Sequence, residues 1–166
     1  MVKPLILVTM GTNEYPFTRL YNHIKNDPLY RDDRCEWFVQ TGSCKADSHP
    51  ANGVVEALIP RSDMEDLVRR SALVISHCGI GSLNLMLKYR KRVVFVPRVQ
   101  AHKEFSDDHQ LQIAAEIKNT RMQVVGPEDD FPPLNYDQIC TDNVLSEPVD
   151  ITNYDLARII NLKLTG

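Results

Sequence analysis

Leu73-Val74-Ile75-Ser76-His77-Cys78-Gly79-Ile80-Gly81-Ser82 is the stretch on which the fold turns. Leu73 to Ser76 is an unbroken run of apolar and small residues, as in a parallel strand buried on both faces. Gly79 and Gly81 break the chain after it, and Ser82 opens a helical run to Tyr89. Strand, glycine turn and helix make up most of a βαβ unit.

The pattern repeats to either side. Leu5–Thr9 closes at Gly11 and leads to a helix from Phe17 to Lys25. Phe17, Leu20, Tyr21 and Ile24 share one face of it, and Pro16 stands where a first turn accepts it. Strands are expected at Glu36–Thr41, stopped by Gly42, and at Val54–Ile59, stopped by Pro60. Ser62 or Asp63 can cap a helix from Met64 to Arg70. Val93–Val96 is a further strand, closed by Pro97. A polar loop from Arg98 to Ser106 precedes a helix from Asp107 to Lys118 and a short strand at Gln123–Val125. Residues 126–148 read as mostly irregular. Ile151–Leu164 reads as a last helix, with Leu156, Ile159, Ile160 and Leu164 on its apolar side. Strands alternating with helices imply an α/β fold: a doubly wound, Rossmann-like parallel sheet of at least five strands with helices on both faces.

The bulk properties agree with one soluble domain over residues 1–166. Its 43% hydrophobic and 25% charged residues are an ordinary globular mix. The net charge of -3 argues against nucleic acid as the main partner. Cys35, Cys44, Cys78 and Cys140 form no CxxC pair, which suits reduced cytoplasmic thiols better than a disulfide frame or zinc site. The apolar run within Met1–Met10 is too short to span a membrane and lacks a signal cleavage pattern. The expectation is a cytoplasmic protein that reaches a membrane only through something else.

In doubly wound sheets ligands bind beyond the carboxyl ends of the strands. That rule selects the loops Met10–Asn13, Gly42–Cys44, His77–Ser82 and Arg98–Gln110. In the first, Gly11 lets backbone amides approach a phosphate and Thr12 adds a hydroxyl, although any tight strand exit can need a glycine. Neither GxGxxG nor GxxxxGK[ST] occurs, which argues against NAD enzymes and P-loop NTPases. In the third loop, Gly79, Gly81 and Ser82 make a diphosphate cradle at a helix N-terminus; the plainer alternative is a glycine-rich connection with a capping serine. His77-Cys78 looks like the start of a cysteine phosphatase loop, but the position six residues after Cys78 is Asn84, so the guanidinium clamp is missing. Cys78 therefore reads as packing. In the fourth loop, Ser106 or Asp107 caps a helix whose His109 and Gln110 can donate hydrogen bonds to phosphate or sugar hydroxyls, or else are an ordinary helix start. His102 and Lys103 add positive character. The acid pairs Asp107-Asp108 and Asp129-Asp130 have no second ligand group at a convincing spacing, so no metal site is expected. The basic run Lys88–Arg92 offsets a helix C-terminus or meets anionic lipid.

Taken in order, TMGT at Thr9–Thr12, VQTG at Val39–Gly42, ISHCGIGS at Ile75–Ser82, VVFVPR at Val93–Arg98 and DDHQ at Asp107–Gln110 resemble the C-terminal domain of glycosyltransferase family 28. The resemblance covers roughly Val2 to Lys118. TMGTNEYPF, FVQTG and VPRVQAHKEFSDDHQ look most like stand-alone donor-binding subunits of two-component bacterial capsule and exopolysaccharide glycosyltransferases. The cytosolic subunit of the dolichol-linked GlcNAc transferase is a similar case. The resemblance implies the C-terminal half of a GT-B glycosyltransferase. UDP would sit over Gly11, Thr12 and the Gly79, Gly81, Ser82 turn, with the sugar near His109 and Gln110; Thr41, Gly42, His77 and Asp108 complete the implied donor-binding set. It also implies no metal or other cofactor, the departing diphosphate being stabilised by a helix dipole and backbone donors. Two features depart from the family pattern. Leu85 stands where many relatives have a ribose-binding glutamate, and Arg90-Lys91 stands where a glycine is common. The implied function is the UDP-sugar-binding subunit of an inverting transferase, inactive alone. It would work at the inner face of the membrane with a membrane-associated acceptor-binding subunit that supplies the base and meets a lipid-linked acceptor. The alternative is a non-catalytic helper that stimulates or stabilises a partner, which Leu85 favours.

Overall fold

Unbroken apolar strands need cover on both faces, and the chain supplies it by reversing direction halfway through the sheet. The computed structural model describes residues 2–118 and 122–141. The helix expected at Ile151–Leu164 lies outside the described residues. In chain order the elements are β1 (Leu5–Thr9), α1 (Thr18–Asn26), β2 (Glu36–Gln40), β3 (Gly53–Glu56), α2 (Arg61–Arg70), β4 (Leu73–His77), α3 (Ile80–Lys88), β5 (Val93–Val96), α4 (His109–Lys118), β6 (Gln123–Val124) and α5 (Tyr136–Thr141). The six strands form one sheet in the order β3-β2-β1-β4-β5-β6, and every pairing is parallel.

That order places α1 and the other long helices on opposite faces. Crossovers between parallel strands are right-handed, so a chain that runs outward to β3 and then returns past β1 to β4 must change sides. Ile6, Val8 and Met10 point to the face covered by Leu20, Tyr21 and Ile24 of α1 and by Ile139 of α5. Leu5 and Leu7 point to the other face, against Leu67 and Val68 of α2, Leu83 and Met86 of α3, and Ile113 and Ile117 of α4. Each fully buried aliphatic side chain contributes about 1.5–3 kcal/mol. The two cores therefore fix which way every strand faces. The reversal also leaves β1 and β4 adjacent with their following loops diverging, which opens a crevice between them.

Several boundaries differ from the sequence expectation. α2 starts at Arg61, not Met64: Pro60 takes the cap position, and Ser62 Oγ bonds Asp63 Oδ1 at 3.2 Å instead of capping. α3 starts at Ile80, not Ser82, with Gly79 at its cap. α4 starts at His109, so Asp107 and Asp108 precede it. β3 ends at Glu56 rather than Ile59. The stretch expected to be irregular holds α5, and the polar loop after β5 holds a 3-10 turn at Gln100–His102.

The basic run does not form an open face. Lys91 is buried and donates to the Ser71 carbonyl at 2.9 Å. Lys88 pairs with Glu65 at 3.2 Å, and Arg92 donates to the Gln138 carbonyl at 3.1 Å. Arg90 is exposed and holds a left-handed φ of 50°. Its amide bonds Leu87 O, and that of Lys91 bonds Met86 O, so α3 ends in a Schellman turn with arginine in the glycine position. The expected outcome of Arg90→Gly is a gain of up to about 1 kcal/mol, from relief of left-handed strain partly offset by unfolded-chain entropy. A urea titration checks it: the midpoint rises and the slope stays the same.

Candidate functional site

The crevice is bounded by the exits of β1 and β4, and buried polar side chains hold both exits. On the β2 side, Gln40 is buried on the line between strands. Its Oε1 accepts from Thr9 Oγ1 at 2.8 Å, and its Nε2 donates to the Gly11 and Ala57 carbonyls at 2.8 and 2.9 Å. Gly11 has φ +80°, and Gly42 has φ +59°. A Cβ on Gly42 would lie 2.4 Å from the Gly11 carbonyl oxygen, so the β2 exit rests directly on the β1 exit. Thr41 is buried, with Oγ1 3.4 Å from Glu56 O. Thr41 and Gly42 thus shape the β1 loop from behind.

On the β5 side the fastening is a buried cation. Arg98 is 1% exposed. Its Nη1 donates to the carbonyls of Tyr15 and Glu104, each at 2.7 Å, and its Nη2 donates to Met10 O. The guanidinium also lies 4.7 Å from the centre of the Phe17 ring. Glu104 is buried beside it, bonded by Arg19 Nε at 2.9 Å, by Arg19 Nη2 at 3.0 Å and by the Val99 amide at 3.0 Å. Burial pulls Arg98 down to about 10, which leaves it charged at neutral pH. Gln110 completes the frame. It is 3% exposed, and its Oε1 accepts from the amides of Cys78 and Arg98, both at 3.1 Å. Gln110 therefore joins the exits of β4 and β5.

Inside this frame lies a cleft of about 510 Å³. Gly11, Thr12, His77, Gly81 and Ser82 line it near the start of α3. Arg61, Met64, Glu65, Leu85 and Lys88 line it between α2 and α3. From Ser82 to Lys88 the helix rises about 9 Å. Of the residues expected from sequence, the structure brings together Gly11, Thr12, His77, Gly81 and Ser82. Gly79 stands immediately behind them as the cap of α3, where a Cβ would meet His77 Nε2 at 2.6 Å. Thr41, Gly42, Asp108, His109 and Gln110 are not in the lining. Asp108 Oδ1 accepts from the Gln100 amide at 2.8 Å, and the His109 ring sits edge-on to Phe105 at 4.9 Å, held by the Asp107 carboxylate.

Gly81 differs from the other glycines in the site. A Cβ there would meet nothing within 4 Å, and its φ is not in the left-handed range. Gly81 is the second residue of α3, where glycine is a poorer helix former than alanine, and no neighbour in the protein requires it. It leaves the first-turn amides of α3, which have no side-chain cap, open at the positive end of the helix dipole. Cys78, by contrast, is fully enclosed, and burial pushes its thiol up to about 12. A thiol that stays protonated is no nucleophile. Among the described residues no group of three or more His, Cys, Asp or Glu converges as a metal cage would require. Gln40, Arg98 and Glu104 escape sequence reading. For Arg98 the one signal is a charge placed directly after the apolar run Val93–Pro97; Gln40 and Glu104 have none.

His77 forms the floor of the cleft. Its ring packs against Gly11 and Gly79, and its Nδ1 lies 3.4 Å from Thr9 O. Desolvation, and then the nearby Arg98 charge, lower its pKa to about 4. The imidazole is therefore neutral at pH 7, and with Nδ1–H directed at Thr9 O, Nε2 remains an acceptor.

The model for the glycosyltransferase family 28 C-terminal domain matches residues 5–136. Three solved structures share the fold. One is the glycosyltransferase SnogD from Streptomyces nogalater, 15% identical with a TM-score of 0.52, over 98% of this chain and 40% of that one. MurG from Acinetobacter baumannii is 18% identical with a TM-score of 0.52, over 99% of this chain and 43% of that one. The glycotransferase of kitacinnamycin is 13% identical with a TM-score of 0.59, over 98% of this chain and 39% of that one. The chain thus spans about two fifths of each of these structures. No curated protein matches it by sequence.

The half-buried, neutral histidine gives a pH dependence with a definite sign. An unfolded chain takes up a proton at His77 near the model value of 6.5, whereas the folded chain resists until about 4. Between those values the unfolded state binds more protons, so stability falls as pH falls through this window. The full effect is at most about 3 kcal/mol. Chemical denaturation at a series of pH values should show the decline, and His77→Gln should remove that part of it.

Proposed function

We propose, for a chain that belongs to the glycosyltransferase family 28 C-terminal domain family, that the cleft between β1 and β4 holds the diphosphate of a UDP-sugar, and that the chain is the donor-binding subunit of an inverting two-component transferase. One observation carries this reading. Gly81 is a first-turn glycine of α3 that no neighbouring side chain requires, and it lies on a cleft at the switch point beside the uncapped amides of that helix. Close approach of a phosphate to the backbone is the physical reason for a glycine there. Thr12 and Ser82 add hydroxyls, and the neutral His77 adds a polar ring nitrogen at the cleft floor.

In the proposed reaction the acceptor hydroxyl oxygen attacks the anomeric carbon from the face opposite the diphosphate. The bond from that carbon to the diphosphate oxygen breaks, and UDP leaves with the electron pair. Amides at the start of α3 stabilise the charge that develops on the leaving oxygen. The acceptor proton passes to a base on the acceptor side. Transfer needs donor and acceptor enclosed together, and one open sheet edge supplies half of the walls. We assign the other half to a membrane-associated acceptor-binding subunit that presents a lipid-linked acceptor in surface polysaccharide synthesis. Among the described residues no helix is long and apolar enough to cross a membrane, so membrane contact in this scheme comes from that partner. The loops after β1 and β5 flank the cleft and are the surfaces that would meet it.

A second reading, a helper that stimulates its partner without binding donor productively, is favoured by Leu85, which places an aliphatic side chain in the cleft. Calorimetry separates the two readings. UDP should bind the isolated chain. Gly81→Ala should leave the fold intact, slightly raise stability and weaken UDP at least tenfold, and Gly81→Val should abolish binding. Unchanged UDP affinity in a folded Gly81→Val protein would remove the phosphate from this site. A turnover assay tests the subunit model. With a panel of UDP-sugars and a lipid acceptor, the chain alone should give negligible product and gain activity when the acceptor subunit is added.

A further inference from the structure

The cleft extends past the phosphate end to a group that neither the glycine turn nor the helix dipole explains. Glu65 is the one carboxylate among the described residues lining it. It projects from α2, where Arg61, Met64 and Glu65 occur at helical spacing on the side facing α3. Its two oxygens have different surroundings. Oε2 accepts from Lys88 Nζ at 3.2 Å and from the Tyr89 hydroxyl at 3.0 Å. Among the described residues Oε1 meets only the Arg61 guanidinium, at 3.8 Å, beyond hydrogen-bond distance. Arg61 is itself 94% exposed, so this pairing is loose. The side chain of Glu65 is only 26% exposed. Its bonds to Lys88 and Tyr89 keep it ionised, with a pKa below the usual carboxylate range.

The result is a positioned anion on the cleft wall, with Oε2 bonded and Oε1 held by no hydrogen bond among the described residues. Ile59, Met64 and Leu85 supply apolar wall around it, the surface that the flat face of a nucleobase covers. Between a diphosphate at the start of α3 and a base on these side chains lies a ribose. A pair of adjacent hydroxyls donates naturally to a carboxylate, the device by which doubly wound sheets read a ribose 2′-hydroxyl. Leu85 has no acceptor to offer, and the cations Lys88 and Arg61 cannot accept a hydrogen bond.

We propose that Glu65 accepts hydrogen bonds from the ribose hydroxyls of the donor nucleotide and so selects ribonucleotides over deoxyribonucleotides. The proposal rests on the donor-site reading above. Calorimetry on the full chain tests it with UDP, 2′-deoxy-UDP and inorganic pyrophosphate. The wild-type protein should bind UDP about tenfold or more tighter than 2′-deoxy-UDP. Glu65→Met has similar length and no oxygen, and should bring that ratio to within about twofold of one. Glu65→Gln keeps an acceptor oxygen and should retain part of the preference. Pyrophosphate affinity should be the same in all three, which also establishes that the variants are folded. A Glu65→Met protein that keeps the full preference overturns the proposal, as does a wild-type protein that binds UDP and 2′-deoxy-UDP equally; either result leaves the donor site standing. A wild-type protein that binds neither UDP nor pyrophosphate overturns both readings.

Discussion

The buried guanidinium of Arg98 is the constraint on which the site depends. It ties the carbonyl of Met10, at the exit of β1, to those of Tyr15 and Glu104, in the loops that follow β1 and β5. Removing a cation from water carries a penalty of several kcal/mol. Three carbonyls, the charge of Glu104 and the face of Phe17 offset it, although Nε has no partner among the described groups. Truncating Arg98 would leave the buried carbonyls of Met10, Tyr15 and Glu104 without their donor, the costly way to lose a hydrogen bond. Hydrophobic packing alone could hold β1 and β5, but it is non-directional and could not set the orientation of Gly11 at the end of β1.

The same economy of charge governs the cleft. The diphosphate proposed to bind there would bring its own negative charge and would need the site to offer donors already in place. A helix end with free amides does this and needs little reorganisation. The fold keeps His77 neutral by enclosing it between Gly11 and Gly79 and by placing Arg98 nearby. Arg98 thus acts at once as a fastening and as an electrostatic bias.

The parts of the fold legible in the sequence were those that solvent never touches. β1 and β5 match their apolar runs residue for residue, because both faces are covered and composition carries the signal. The edge strands β3 and β6 are shorter than their runs suggest, since the outer residues have a pairing partner on one side only. Helix starts were misplaced wherever a side-chain cap was sought: α2 follows Pro60 and α3 follows Gly79, and neither has such a cap. The site was legible to the extent that strand ends define it, which is how Gly11, Thr12, His77, Gly81 and Ser82 came together. Gln110 was not, because a glutamine at a helix start looks the same whether it faces a ligand or two backbone amides. Glu65 lies in the middle of a helix, and its approach to the cleft exists only through the packing of α2 on α3.

Trp37 gives the molecule a gauge of its own. It is the single tryptophan of the chain, fully buried, edge-on to Tyr30 at 5.3 Å, with its indole N–H donating to Leu29 O at 3.1 Å. It stands three residues before Gln40, about 10 Å back along β2 from the cleft, on the face covered by α1. Its fluorescence therefore registers the integrity of that half of the core and is almost blind to what occupies the cleft. Folding and occupancy can thus be read independently in one sample, by emission for the first and by heat of binding for the second.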